Sequence, residues 1–215
     1  MLASSLIVGA WALSAEIQAA TLATYAFTGN TTSATQSAAG ITAGNVTNAG
    51  LSDFYVTSDG YSSAPVLHVN PASGATTAPA DGSGFPVASY FSITLDSAQL
   101  LNIDAVSFNA ARGGTSEPRG FVLRSSVTGN QNLYQSDVTE VRATFGSYSY
   151  NFGTEFQNIN GPVTFEFYIY TPGIGASIEF DNITFTGSVV PEPRRMILLS
   201  LAGVWVAFRR RNGES

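Results

Sequence analysis

The sequence predicts an all-β chain folded as an antiparallel β-sandwich, with a jelly-roll strand order as the specific expectation. Three observations predict it. Val163-Thr164-Phe165-Glu166-Phe167-Tyr168-Ile169-Tyr170 alternates with period two and sets Val163, Phe165, Phe167 and Ile169 on one face, the pattern of a half-buried strand. About ten such short windows are separated by Gly, Asn, Pro and Ser, the spacing of a sandwich rather than of βαβ units. No interior window carries a convincing helical period.

In chain order, Leu6 to Ala15 is a short apolar stretch, and Ile17-Gln18-Ala19 looks like a cleavage site before Ala20. Residues 1–19 therefore read as a signal peptide, although no Lys or Arg precedes the apolar stretch. The competing reading, a first strand or helix of the fold, would seat Glu16 in a core. Strands are expected over Thr24–Phe27, Asp53–Thr57 and Val66–Asn70. Thr28–Gly50, uncharged and rich in Thr, Ser, Ala, Asn and Gly, reads as a loop. So does Pro71–Pro86, with three prolines, three glycines and Asp81. Loops of such length are either functional excursions or low-complexity surface.

Ala88–Leu95 places Phe91, Ile93 and Leu95 inward, and Asp104–Ala110 places Val106 and Phe108 inward. Further strands are expected over Gly120–Ser125, Thr139–Phe145, Ser147–Phe152, Val163–Tyr170 and Ser177–Thr186. In the last of these, strict alternation puts Glu179 and Asp181 on the face of Ile183 and Phe185. A β-bulge near Asp181-Asn182 resolves the conflict.

Composition narrows the function classes. The chain has no lysine and no cysteine, so disulfides and thiolate metal sites are excluded. From residue 20 to residue 190 four arginines (Arg112, Arg119, Arg124, Arg142) face twelve acidic residues, a formal charge of −8. That balance argues against a nucleic-acid partner, which needs a basic face. His68 is the only histidine, so no His-based metal triad is available, and an edge or buried histidine is the expectation. No Gly-x-Ser-x-Gly elbow and no phosphate-binding glycine loop is present. A glycosidase needs only two carboxylates, and the spacing selects no pair.

Arg112, Arg119 and Arg124 are candidate donors to sugar hydroxyls or carboxylates, because the guanidinium fork suits bidentate contacts. The competing reading pairs them with Glu117, Glu140, Glu166 or Asp181. Tyr168 and Tyr170 lie on the face opposite the apolar side of their strand, and Tyr148 and Tyr150 share a face in the preceding one. Together they suggest an exposed aromatic platform of the kind that holds pyranose rings. Ordinary cross-strand pairing is the alternative. Asp181 is the weak metal candidate, for Ca2+, and no Asp-x-Asp-x-Asp loop accompanies it.

The tail has its own organisation. Val190-Pro191-Glu192-Pro193 is followed by Arg194-Arg195, an uncharged run from Met196 to Phe208, and Arg209-Arg210-Arg211. The prolines end any strand. The thirteen-residue run is short against the about 20 residues that usually span a bilayer, and the terminal arginines orient such a segment with its C-terminus in the cytoplasm. A domain-end helix is the competing reading.

These pieces resemble the PEP-CTERM sorting signal of Gram-negative bacteria, departing from it at Arg194-Arg195. The resemblance covers only residues 189–215. It implies recognition and cleavage by exosortase near the Pro-Glu-Pro box, transient residence in the inner membrane, and a place in the exopolysaccharide of a biofilm or floc matrix. Arg119-Gly120-Phe121-Val122-Leu123-Arg124-Ser125-Ser126 is similar to a segment recurring in such proteins with jelly-roll bodies. Ser177–Gly187 looks like the closing strand of carbohydrate-binding-module-like jelly rolls.

The expected organisation is a signal peptide over 1–19, a sandwich over 20–188 and a sorting signal over 189–215. The expected role is that of an exported, non-catalytic structural or adhesive protein without a cofactor. A carbohydrate-binding module is the first alternative, and a glycoside hydrolase or lyase the second.

Overall fold

Alternating apolar side chains from two sheets meet in one core, as the period-two windows require. The computed structural model describes residues 19–58, 65–72, 77–85, 88–116, 118–142, 144–173 and 175–190. The expected signal peptide and the Pro-Glu-Pro tail, with Pro191, Glu192, Pro193, Arg209, Arg210 and Arg211, lie outside the described residues. The strands are β1 (Ala20–Tyr25), β2 (Gln36–Ser37), β3 (Ile41–Ala43), β4 (Thr47–Ala49), β5 (Asp53–Thr57), β6 (Val66–Asn70), β7 (Tyr90–Ser97), β8 (Leu100–Arg112), β9 (Gly120–Ser125), β10 (Gly129–Asp137), β11 (Gly146–Asn151), β12 (Val163–Tyr170) and β13 (Ile178–Val190). Among the described residues no helix is long and apolar enough to cross a membrane.

The first sheet has the order β11-β8-β13-β1-β2, with β6 on the N-terminal half of β13 and β5 outside β6. The second has the order β10-β9-β12-β7-β3, with β4 also on β7. Every ladder is antiparallel. The residues expected inward on β7, β8 and β12 are all buried. At the centre, Phe180 of the first sheet meets Phe91 of the second at 5.1 Å and Phe121 at 6.1 Å between ring centroids. Phe91 stacks on Phe167 at 4.7 Å. Offset and edge-to-face pairs of this kind add to simple burial.

The bulge expected in the last strand is present. The register of β13 against β8 slips between Asp181 and Thr184, and Asn182 sits at φ 52°. Asparagine tolerates this left-handed conformation better than most residues. The slip flips the parity, so Ile178 and Phe180 before it and Ile183 and Phe185 after it all face the core. The bulge lies where β6 stops pairing with β13 and β1 begins.

Four expectations need correction. Thr139–Phe145 is not a strand: Val141 makes only an isolated bridge to Arg112, and the edge strand is β10. The polar sequence of β10 has no apolar alternation to mark it. Thr28–Gly50 contains β2, β3 and β4, short strands held by their neighbours and by the buried Ile41 and Val46. The Pro71–Pro86 segment is not a rim loop, because its stretch 77–85 packs on the outer face of the second sheet. The sheet also runs past residue 188: Val189 and Val190 pair with Leu101 and Leu100, and Pro191 follows directly.

Candidate functional site

The outer face of the first sheet is built from small polar residues. On β8, Ser107 and Asn109 alternate with the buried Val106, Phe108 and Ala110. On β11, Ser147 and Ser149 alternate with Tyr148 and Tyr150, which pack toward the core. On β13, Asn182 and Thr184 take the outward positions around the bulge. These six side chains, with Phe108 and Tyr148 between them, line a groove of about 420 Å³. Ser147 donates to the Asn109 carboxamide oxygen at 3.1 Å. Thr184 and Thr24 share a hydrogen bond at 3.2 Å, extending the hydroxyl row onto β1. The groove offers hydroxyl and amide donors and acceptors on a pleated floor, with no charged side chain lining it among the described residues.

Asp181 stands beside this groove on β13, opposite Asn109 of β8. Its carboxylate accepts the backbone N–H of Asn182 at 2.7 Å and the Asn182 Nδ2 at 3.0 Å. Burial outweighs the Asn182 N–H and pushes its pKa up to about 6. The folded state therefore holds this proton more tightly than the unfolded chain does, so the contribution of Asp181 to stability is fully present below about pH 4 and is lost as pH rises through 6. Asp181→Asn should be more stable than the parent at pH 7 and equal to it near pH 4. The gain should be at most about 1 kcal/mol after screening of this partly exposed group, read as a shift in urea midpoint. Among the described residues no group of three or more His, Asp or Glu side chains is arranged to hold a metal.

The single histidine is buried, as expected. His68 Nδ1 lies 3.3 Å from the Glu179 carboxylate, and Glu179 also accepts the Arg142 Nε–H. Tyr55 stacks on the His68 ring at 4.7 Å from the neighbouring strand. Glu179, 1 % exposed, is thus a buried carboxylate between two basic groups rather than a catalytic acid open to substrate.

The expected arginine cluster divides. Arg112 ends β8, and Arg119 sits just before β9, beyond the same turn. Arg119 is held by backbone: Nη1 donates to the Ser177 carbonyl at 2.6 Å and Nε to the Ser116 carbonyl at 2.8 Å. Two glycines here sit close against their surroundings, and backbone makes Gly120 the stricter of the two. A Cβ at Gly113 would collide with Ser177, and one at Gly120 with the Tyr170 hydroxyl and the Ser136 carbonyl. Arg142, which sequence reasoning did not select, joins this end through the 138–142 segment, where Arg112 N–H donates to the Glu140 carbonyl at 2.8 Å.

Arg124 is elsewhere. It is 1 % exposed on the outer face of the second sheet, donating to the carbonyls of Ser83 and Ala80 and to Asn132 Oδ1, with its guanidinium 4.4 Å from the Phe85 ring centre. Carboxylate pairing was the competing expectation for Arg119 and Arg124: backbone carbonyls and the Ser116 hydroxyl hold Arg119, while Arg124 combines backbone carbonyls and an amide with the charges of Glu166, its cross-strand partner, and Asp81.

The expected open tyrosine platform is corrected for the same reason. Tyr168 and Tyr170 do face away from the core, but the 77–85 segment covers them. Phe85 stacks on Tyr168 at 4.7 Å, and Tyr170 donates to Asp137 at 2.6 Å. Tyr148 and Tyr150 belong to the other sheet and their rings meet Phe108, Phe121 and Tyr134, so the four form no shared platform, although the Tyr148 and Tyr170 hydroxyls both donate to Asp137. The groove serines went unnoticed because a Ser-Tyr-Ser-Tyr alternation leaves open which residue type faces out.

No family model and no curated protein matches the chain. Among solved structures it is similar to the CBM22-1 xylan-binding domain from Paenibacillus barcinonensis Xyn10C, at TM-score 0.44 and 15% identity over 80% of this chain and 97% of that one. It is also similar to a family 29 carbohydrate-binding module from Piromyces equi, at TM-score 0.40 and 9% identity over 80% and 91%. A third likeness is to a cleaved adhesin domain of Lys-gingipain from Porphyromonas gingivalis, at TM-score 0.41 and 11% identity over 81% and 99% of the two chains.

Proposed function

We propose that this chain is a non-catalytic glycan-binding protein, exported and carried to the cell envelope or matrix by its PEP-CTERM-like tail, with exosortase as its processing partner. The observation that carries the binding reading is the groove of six hydroxyl and amide side chains across β11, β8 and β13. Sugars present mostly hydroxyls, and a site built to pair each of them discriminates against ligands that cannot. The strand order supports a jelly roll, since β1-β13-β8-β11 faces β7-β12-β9-β10. The tail supports export through its resemblance alone.

The test is affinity electrophoresis of the purified protein in gels containing neutral or acidic polysaccharides. Retardation by at least one polymer is expected. Ser149→Trp, at an exposed position in the groove, should weaken it tenfold or more while changing stability by no more than about 0.5 kcal/mol. Absence of retardation in every polymer would remove the binding role and leave a purely structural one.

A further inference from the structure

We propose that the groove across β11, β8 and β13 recognises the acetamido group of a neutral N-acetylated sugar polymer, through a donor and an acceptor that two asparagines hold in fixed orientation. The proposal rests on the glycan-binding reading of this groove and names the class of sugar that it takes. Between the paired positions Asp181–Asn109 and Thr184–Ser107, β13 has two residues where β8 has one. Of these two Ile183 is buried, while Asn182 is exposed at φ 52° and lines the groove. A bulge re-aims a side chain, and bulges are over-represented beside functional sites.

Each amide is oriented by a partner that leaves it little choice. An ionised carboxylate only accepts, so the Asn182 Nδ2, 3.0 Å from the Asp181 carboxylate, must face it and the Oδ1 turns the other way. The Ser147 hydroxyl donates to the Asn109 Oδ1 at 3.1 Å, which leaves the Asn109 Nδ2 as a donor. Among the described residues no further hydrogen bond engages the Asn182 Oδ1 or the Asn109 Nδ2. The groove thus carries one acceptor and one donor, fixed on neighbouring strands. An acetamido group is planar and presents the converse pair, an N–H to donate and a C=O to accept. Hydroxyls rotate to suit many partners, so a groove of hydroxyls alone would discriminate poorly. Phe108 and Tyr148, stacked at 5.7 Å, lie between the polar rows and give the acetamido methyl an apolar floor. Charge argues the same way, because the formal −8 of residues 20–190 disfavours a polyanion.

The test is affinity electrophoresis in glycol chitin, whose sugar carries an acetamido group, and in hydroxyethyl cellulose, a neutral polymer of the same linkage with a hydroxyl in its place. The full chain runs beside Asn109→Asp, which exchanges the donor for an acceptor at nearly unchanged shape. It also runs beside Asn182→Gly, which removes the acceptor and keeps the left-handed backbone. Thermal midpoints check that both variants fold. The expected result is retardation by glycol chitin at least about tenfold stronger than by hydroxyethyl cellulose, as for a site that pairs a specific polar group. Each substitution should weaken retardation by glycol chitin at least about fivefold, the effect of one lost hydrogen bond. Equal or stronger retardation by hydroxyethyl cellulose overturns the acetamido class and leaves glycan binding standing. A preference for glycol chitin that either folded variant retains in full overturns the asparagine pair. Retardation by neither polymer overturns the proposal, and the glycan-binding reading falls with it only if every other polysaccharide also fails to retard the protein.

Discussion

Phe180→Ala should lower the stability of the folded chain by about 3–5 kcal/mol, the range for deleting a buried aromatic ring from a close-packed core. Phe180 is fully buried on β13 and touches rings on both sheets: Phe91 and Phe167 at 5.1 and 6.1 Å, Phe121 at 6.1 Å, and Phe108 at 5.7 Å within its own sheet. The cavity would open at the junction of the two layers, where side-chain relaxation is limited because its neighbours already stack on one another. Urea unfolding monitored by tyrosine fluorescence and far-UV circular dichroism measures the loss. Phe180→Leu, which retains most of the apolar volume, should cost markedly less. Equal loss in the two variants would mean that ring packing is not what this position contributes.

Glu179→Ala should cost a similar amount, about 3–5 kcal/mol, for a different reason. The Glu179 carboxylate is the counter-charge to Arg142 under the 138–142 segment, and His68 completes the group at 3.3 Å. Removing the acid leaves a partly buried guanidinium without its carboxylate and strips the histidine of its acceptor. Desolvation of the remaining charge, more than the lost bond itself, sets the magnitude. The double variant Glu179→Met with Arg142→Met should recover much of the loss, because an apolar pair needs no compensation. Denaturant midpoints of the single and double variants distinguish the two contributions. A double variant as unstable as the single one would place the effect in packing and not in charge.

The strands that bear alternating large apolar residues were legible in the sequence, down to which residues point inward on β7, β8 and β12. So was the bulge, because Glu179-Phe180-Asp181-Asn182-Ile183 cannot keep one parity and bury both Phe180 and Ile183. Elements whose pattern comes from long-range partners were not legible. β10 has little apolar signal of its own and exists because β9 supplies a ladder. The 77–85 segment lies on the second sheet because Arg124, distant in sequence, holds the carbonyls of Ala80 and Ser83. That contact is what turned Tyr168, Tyr170 and Arg124 from expected surface into interior. Arg112 and Arg119 were singled out together with Arg124, which the fold places on the outer face of the second sheet. Arg142 was missed because its position depends on where the 138–142 segment crosses β8, which no local pattern encodes.

β13 also fixes when this protein is able to fold. It is hydrogen-bonded on both edges, to β8 along most of its length and to β1 and β6 on the other side. Thr24 meets Thr184 across 160 positions of chain. The middle of one sheet is thus delivered last, and until residues near 190 emerge from the ribosome β1 and β6 have a neighbour on one edge only, β2 and β5. A chain of such high contact order closes slowly, on a scale of about milliseconds to seconds. The same delay leaves the unpaired margins of β8 and β1 open to other chains, so crowding before the final strand arrives is the moment of greatest aggregation risk.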